Sequence, residues 1–429
     1  MSLSLLLLLM VGSSQASHFL GTVITYYPKD TFTNGSVQVV LRYKTNFKSC
    51  GTLIWACLSG VCGNESLVQN TVDTESSGEW CQQEGKSTRL VPTNAPFQLH
   101  LDGGNWIGNI QNVTGWKAVI LVELRNRSDT GKANTSPQTT ILPLLRVPSN
   151  CSRDFNLLAF DPDGDEVVCR HANDSNNECK MCTAPSFLNL SSSCSLSFSP
   201  TSSSDEGSYA VQLMMEDFPR QTISLTQTDG SQVQRTTSDS ITKIPIQFVF
   251  RVDSAVPSCT EGLYLPRFLP PTPANREQLS TQVNQPLEIS IKAEASVSSI
   301  SELLFSGPYN TDQETLAAGD YVLRWTPSED EVGESHPICF VVQANLSSMK
   351  YQSELRCVIV TVTPDTTASP SPVTYSQIFL KMRIKSAVVL SEEVMRNTVL
   401  QQITDELVKR GLPGNFTLRL INFNPTTTE

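Results

Sequence analysis

Apolar and polar positions alternate along most of the chain. Residues 37–43 show this period of two, which is typical of a half-buried β-strand. The same period predicts further strands in four later segments. These segments are 209–215, 244–252, 287–291 and 358–362. Two denser apolar runs, 117–124 and 141–145, indicate interior strands. We therefore predict a mainly β fold built from tandem β-sandwich modules.

A helical period appears near the C-terminal end. Apolar residues within 395–407 repeat every four positions, as on one face of a helix. Alternating segments at 378–384 and 416–423 predict a strand on each side. The fold class therefore also includes a small C-terminal α+β unit of β-α-β order. The polar stretch 222–240 is predicted to be a long, exposed hairpin loop.

Changes in this pattern and in composition predict the domain boundaries. The extended Pro-rich opening at 269–273 and the Pro/Ser/Thr-rich stretch at 365–374 are typical of junctions and linkers. The predicted order is a signal peptide at 1–16, an N-terminal β-domain at 17–147, two sandwich modules at 148–256 and 257–364, a linker at 365–374 and the β-α-β unit at 375–429.

The N-terminal segment predicts the compartment. Residues 3–11 are almost wholly apolar, and Ser14-Gln15-Ala16 suits cleavage by signal peptidase after Ala16. The run is too short to span a bilayer, and no later run reaches the required length. We expect an extracellular, secreted protein, and a longer membrane-anchored form stays open.

The twelve cysteines fall into three even groups, as expected of disulfides in an oxidising compartment. The groups are Cys50, Cys57, Cys62 and Cys81; Cys151, Cys169, Cys179, Cys182, Cys194 and Cys259; and Cys339 and Cys357. The last group has one internal solution, Cys339–Cys357, and the other two groups leave several pairings open. We interpret Cys179 and Cys182 as part of a disulfide, because no second metal-binding pair accompanies them.

Ten Asn-x-Ser/Thr sequons predict a glycoprotein. They lie at Asn34, Asn64, Asn112, Asn126, Asn134, Asn150, Asn173, Asn189, Asn345 and Asn415. N-linked glycans require exposed positions, and most of these sequons lie in polar, turn-like stretches. Eight of the ten precede residue 190, so we expect the first half of the chain to carry more sugar.

Charge and motifs exclude several functions. The net charge of −11 disfavours nucleic acid as a partner, since phosphate backbones are bound by basic clusters. The sequence holds no Gly-x-Ser-x-Gly, His-Glu-x-x-His or phosphate-binding glycine loop, and its four histidines are scattered. We predict that the protein is not an enzyme.

Four tryptophans concentrate in the N-terminal β-domain, as core residues or as an exposed recognition face. They are Trp55, Trp80, Trp106 and Trp116.

The acidic loop at 161–166 is the sharpest candidate site. Asp161, Asp163 and Asp165 stand at alternate positions, and Asp217 follows a later strand. Such carboxylates can share a hard cation such as Ca²⁺. Alternatively, the loop is a tight polar turn whose Asp side chains accept backbone N–H groups.

A short frame occurs in both sandwich modules. Phe198-Ser-Pro and Trp325-Thr-Pro are each followed by an acidic loop, a glycine and a strand. This repetition indicates tandem copies of one module, although a Pro/Gly turn can also recur by chance. The frame and the Asp-Pro-Asp-Gly-Asp turn at 161–165 together resemble the cadherin-like (dystroglycan-type, immunoglobulin-like) modules of extracellular proteins, over roughly 150–365.

The resemblance implies an ectodomain that acts in recognition or adhesion, with an extracellular protein or glycan as its partner. The whole arrangement is also similar to a family of vertebrate extracellular proteins that implies no more specific function. The C-terminal unit weakly resembles half of a SEA-type module. The alternative function is a mucin-like or matrix component that spaces and hydrates without a specific receptor.

Overall fold

The computed structural model describes residues 18–51, 53–365, 400, 402 and 403. The chain divides into compact units at 1–367 and 368–429. The predicted signal peptide, nearly all of the linker and most of the β-α-β unit, with Asn415, lie outside the described residues. Leu400, Gln402 and Ile403 are helical, as the four-residue period predicts. No helix among the described residues has the length and apolar character needed to cross a membrane.

The described part of the chain is mainly β. The strands before residue 150 are β1 (Phe19–Thr31), β2 (Val37–Phe47), β3 (Ala56–Ser59), β4 (Asn64–Thr74), β5 (Cys81–Val91), β6 (Phe97–Gly104), β7 (Gly115–Val122), β8 (Asn126–Arg127) and β9 (Leu144–Pro148). The strands up to residue 256 are β10 (Arg153–Asn156), β11 (Glu166–His171), β12 (Leu188–Leu190), β13 (Ser195–Phe198), β14 (Gly207–Phe218), β15 (Ile223–Thr226), β16 (Gln232–Arg235) and β17 (Lys243–Asp253). The remaining strands are β18 (Arg267–Leu269), β19 (Glu277–Gln282), β20 (Leu287–Glu294), β21 (Ser299–Ser306), β22 (Thr311–Ala317), β23 (Asp320–Trp325), β24 (Ser335–Leu346), β25 (Met349–Gln352) and β26 (Arg356–Thr363). Three short 3₁₀ helices complete the described structure: Asp174–Asn176, Ser203–Asp205 and Glu329–Glu331.

The N-terminal β-strands share one large sheet with the next module. The order of its main path is β3-β6-β7-β17-β1-β2-β5-β4. β1 approaches β17 so closely that a Cβ on Gly21 would lie 2.0 Å from the carbonyl oxygen of Gln247, and Gly21 has a φ of 120°. Only glycine fits there. The four tryptophans of this region are all buried in the core, which confirms the core interpretation.

The second region packs two sheets face to face. The sheet β10-β13-β12 covers the β11, β14, β17 and β9 part of the large sheet. Phe155 and Phe198 each contact the ring of Phe250, with centroids 5.4 and 5.6 Å apart. β9 runs parallel to β17, and the predicted boundary between 147 and 148 lies inside β9.

The third region has the same two-layer arrangement. Its sheets are β18-β20-β23-β22 and β19-β26-β24-β21, with β25 beside β24. Phe198 ends β13 and Trp325 ends β23, and each aromatic ring is 1% exposed. A 3₁₀ turn then leads into β14 or β24, so the repeated sequence frame corresponds to a repeated local structure.

The stretch 222–240 differs from the predicted loop. It forms a hairpin of β15 and β16, and β15 also pairs with β8 to complete a small three-stranded sheet. Ile223, Leu225 and Ile241 form a buried apolar cluster there. The stretch is a hairpin and is exposed over 229–234, as predicted, but it is paired as strands and has a small core that a plain polar loop lacks.

Candidate functional site

A buried arginine lies among the predicted carboxylates. Arg127, on β8, is 1% exposed. Its guanidinium forms two hydrogen bonds to Asp165, one of them from Nη2 at 2.8 Å. Nε and Nη2 donate to the carboxylate of Asp129 at 3.0 and 2.8 Å, and Nη1 donates to Asn134 Oδ1 at 2.6 Å. Asp163 Oδ2 is 3.7 Å from Nη1. The guanidinium is therefore the cation at the centre of the acidic cluster.

The loop before β11 is a tight Asx-type turn. Asp161 Oδ1 accepts the backbone N–H groups of Asp163 at 2.9 Å and Asp165 at 3.2 Å. Gly164 has a φ of 86°, which glycine adopts without steric cost. Asp161 Oδ2 is buried and has no hydrogen-bond partner among the described residues. The polar-turn alternative therefore describes the local backbone correctly.

Strand pairing brings Asp217 to this turn. β11 pairs with β14 so that Val167 lies opposite Asp217. Asp217 is fully buried. Its Oδ1 accepts Thr242 N–H at 2.6 Å and the Thr242 hydroxyl at 2.7 Å, and its Oδ2 accepts Asn134 Nδ2 at 2.7 Å. Carboxylate oxygens of Asp161, Asp165 and Asp217 lie within 4.8 Å of one another.

Burial shifts the pKa of these acids upward. Desolvation, with the negative charge of Asp217 and of the other two loop aspartates, raises the pKa of Asp161 to about 8. Desolvation also raises the pKa of Asp217 to about 7, against the hydrogen bonds from Asn134 and Thr242. The pKa of Asp163 is raised mainly by burial. The folded chain therefore favours protons on Asp161 and Asp217 more than the unfolded chain does.

Most carboxylate oxygens of these residues are engaged within the protein. Ca²⁺ takes six to eight oxygen ligands. Asp165 uses both carboxylate oxygens on Arg127, and Asp217 uses both on hydrogen-bond donors. The sequence analysis missed Arg127 and Asn134, although an excess of buried carboxylates always requires a cation or protons.

The sequons differ in accessibility. Those that are exposed are Asn34, Asn64, Asn112, Asn126, Asn150, Asn173 and Asn189, and Asn345 is partly exposed. At Asn34 and Asn173 the serine two residues later donates both its N–H and its hydroxyl to the asparagine Oδ1. Glycosylation modifies the other atom, Nδ2, which these bonds leave unengaged.

Two sequons have engaged amide nitrogens. Asn134 is fully buried, and its Nδ2 donates to Asp217 and to the carbonyl of Thr135. No glycan can be placed there in this fold, because the nitrogen is enclosed by the acidic cluster. The Asn150 side chain forms two hydrogen bonds to the backbone of Val256. Its Nδ2 donates to the carbonyl at 2.8 Å, and its Oδ1 accepts the N–H at 2.9 Å.

All twelve cysteines form disulfides, and every bond stays within its predicted group. The pairs are Cys50–Cys81, Cys57–Cys62, Cys151–Cys259, Cys169–Cys194, Cys179–Cys182 and Cys339–Cys357. Cys339 and Cys357 are register partners on the antiparallel strands β24 and β26, so the structure joins the pair that the sequence predicts.

A second charged cluster, the Arg42 cluster, joins the first and third regions. It consists of Arg42 and Lys29 from the N-terminal region with Glu331, Glu334 and His336 from the third. Arg42 Nη2 lies 2.8 Å from Glu331 and 3.2 Å from Glu334, and His336 Nε2 lies 3.2 Å from Glu334. Lys29 also pairs with Glu334. Neither charge nor spacing in the sequence indicates this contact.

No model of a protein family matches the chain, and no curated protein matches it significantly. Among solved structures, the immunoglobulin domains 1–4 of Sidekick-1 are 10% identical, cover 72% of this chain and 75% of their own, and give a TM-score of 0.17. Human protocadherin-24 EC1-2 is 15% identical over 54% of this chain and 99% of its own, with a TM-score of 0.17. The sialic acid binding region of the Streptococcus sanguinis SK1 adhesin is 11% identical over 55% and 79%, with a TM-score of 0.19. Scores this low carry no argument about what this chain binds.

Proposed function

We propose that this chain is the ectodomain of a secreted or cell-surface glycoprotein that acts in recognition or adhesion. The observation that carries the proposal is the pairing of all twelve cysteines on a mainly β architecture. Disulfides of this number persist only in oxidising compartments such as the extracellular space. The exposed sequons named above support a glycosylated surface.

The packing suits the presentation of a fixed binding surface. The Arg42 cluster joins the first and third regions, and the large sheet joins the first and second. Binding to a preorganised surface loses less conformational entropy than binding to a flexible one. We expect binding and no catalytic turnover, since the sequence carries none of the nucleophile or metal motifs named above.

Saturable binding is the test. The secreted, glycosylated chain, displayed as a multimer, is added to cells that express a library of surface receptors. Saturable binding to one receptor or glycan class is expected. Self-association with dense O-glycosylation and no saturable partner would instead support the mucin-like or matrix role.

We also propose that the fold does not depend on calcium, because Arg127 already supplies the central positive charge. The melting temperature of the secreted chain is expected to be equal in millimolar Ca²⁺ and in EDTA. A ligand that binds only the folded state raises the melting temperature by mass action. A calcium-dependent rise that Asp163→Ala abolishes would contradict the proposal.

Glycopeptide mass spectrometry tests the glycoprotein part. Asn34, Asn64, Asn112, Asn173 and Asn189 are expected to carry glycans. Asn134 and Asn150 are expected to be unmodified, because their amide nitrogens donate to protein acceptors. A glycan on Asn134 in folded protein would contradict the buried position of that side chain.

A further inference from the structure

An open groove of about 660 Å³ lies where the N-terminal strands meet the next region. One side is the end of the β6–β7 hairpin, and the other is the segment 174–181. Ligand sites commonly have volumes of about 300–1,000 Å³ and occur at such junctions. The groove is separate from both charged clusters described above.

Two glycines form the floor. Gly104 on β6 lies directly opposite Gly115 on β7, and Asp102 lies opposite Lys117. Residues two apart share a face of a strand, so all four lie on the same face of the hairpin. A Cβ at Gly104 would meet no atom within 4 Å. A Cβ at Gly115 would lie 2.7 Å from Cδ of Lys180, so that side chain covers this end of the floor and the open backbone is at Gly104.

The opposite wall is rigid. The disulfide Cys179–Cys182 closes a tip in which Met181 has a φ of 53° and is 50% exposed. Asn105 (φ 88°) and Asn177 (φ 59°) also line the groove. Of the eight non-glycine residues with positive φ among the described residues, three lie here. Such conformations cost energy and cluster at binding sites.

Charged and amide groups converge on the groove without a net charge. Lys180 pairs with Asp102, and Lys117 Nζ donates to Asn177 Oδ1 at 3.0 Å. Asp174 lines the same groove. The groove and its rim therefore hold two ammonium groups and two carboxylates, with hydrogen-bond donors and acceptors both present.

We propose that this groove binds a neutral saccharide. A sugar ring carries hydroxyl groups that both donate and accept, which matches the mixed lining, and its flat face can lie on the open backbone at Gly104. The thioether of Met181 provides apolar contact for the C–H groups of the ring. The absence of net charge at the groove favours a neutral sugar over an anionic one. This inference rests on the proposed function and names a ligand class and a site for it.

The test uses the full secreted chain on a printed array of neutral, sialylated and sulfated glycans. Gly104→Leu fills the groove, because the new side chain projects into open space. Gly108→Leu is the matched control: Gly108 is exposed, has no atom within 4 Å of its Cβ position and does not line the groove. We expect binding to a neutral glycan, a loss of at least tenfold in Gly104→Leu and no loss in Gly108→Leu.

Glycans on Asn112 and Asn173, beside the groove, can compete with the probe, so the array is repeated after enzymatic trimming of N-glycans. No binding in either state, binding to anionic glycans alone, or equal binding by both variants would overturn the saccharide site. Saturable binding to a receptor protein under those outcomes would leave the proposed function standing. No binding in either the glycan array or the receptor assay would contradict both the saccharide site and the proposed function.

Discussion

At the residue scale, the acidic cluster is decided by one side chain outside the acidic motif. Arg127 lies on a two-residue strand 34 positions before Asp161, yet its guanidinium contacts three of the nearby carboxylates within 4 Å. A planar guanidinium can donate to two carboxylates at once. The aspartates that resemble a metal site therefore form an internal ion-pair network.

Removing Arg127 should be costly. Arg127→Met leaves the buried Asp165 without its cation, and breaking a buried pair costs about 3–5 kcal/mol of unfolding free energy. Urea denaturation measures the loss. Arg324→Ala is the control, since Arg324 also has two carboxylate partners but is exposed, and should change stability little. Equal losses in both variants would contradict the buried network.

The raised pKa of Asp161 predicts a pH dependence of stability. An acid whose pKa is higher in the folded chain binds more protons there than in the unfolded chain. Stability therefore falls as the pH rises from about 4 to about 8. Asp161→Asn mimics the protonated acid, so it should raise stability at pH 8, by up to about 5 kcal/mol at 1.36 kcal/mol for each unit of pKa, and change it little at pH 4. The same gain at both pH values would contradict this assignment.

At the element scale, strand register decides which side chains meet. The β11–β14 register places Asp217 beside the acidic turn, and the β24–β26 register places Cys339 opposite Cys357. The Cys151–Cys259 bond joins the segment after β9 to the segment after β17, across 108 residues. The bond thus links the beginning of the second region to the segment that follows its last strand.

The length of the closed loop predicts a ranking of the disulfides. Removing Cys151–Cys259 with alanine at both positions should cost about 4.7 kcal/mol, because the unfolded chain regains the entropy of a long loop. The Cys57–Cys62 pair spans only five residues and should cost about 2 kcal/mol. Denaturant unfolding of the two double variants gives the ranking, and the reverse order would contradict it.

At the scale of the whole molecule, regions far apart in sequence are held together by buried polar contacts. The Arg42 cluster links residues separated by about 290 positions. Next to it, Lys44 donates to the carbonyl of Gly307, and Asp73 accepts the backbone N–H of Phe305 at 2.9 Å. Such contacts join the first and third regions.

We expect residues 18–365 to unfold in one calorimetric transition. Arg42→Met should separate it into two, because Glu331 and Glu334 would lose a buried partner at the junction. The exposed pair of Arg267 and Glu294 lies within the third region, so Arg267→Ala should leave one transition. Two transitions in the unaltered chain would contradict the coupling.

The sequence by itself predicted what depends on local periodicity and composition. Alternation placed β2, β14, β17, β20 and β26, because the two-residue period of a strand is a property of neighbouring residues. The even cysteine groups predicted which cysteines pair among themselves. The aromatic-hydroxyl-Pro frame predicted the repeated turn before β14 and β24.

Only the tertiary structure decided the partners. The interactions of the acidic loop depend on Arg127 and Asn134. These residues reach the loop because β8 pairs with β15 and the 127–135 segment packs against it. The sequon at Asn134 has the same sequence pattern as the others, and only the fold shows that its side chain is buried. The groove at Gly104 and the Arg42 cluster arise where separate strands meet. Long-range contacts of this kind leave no local period in a sequence, because they depend on which surfaces pack together.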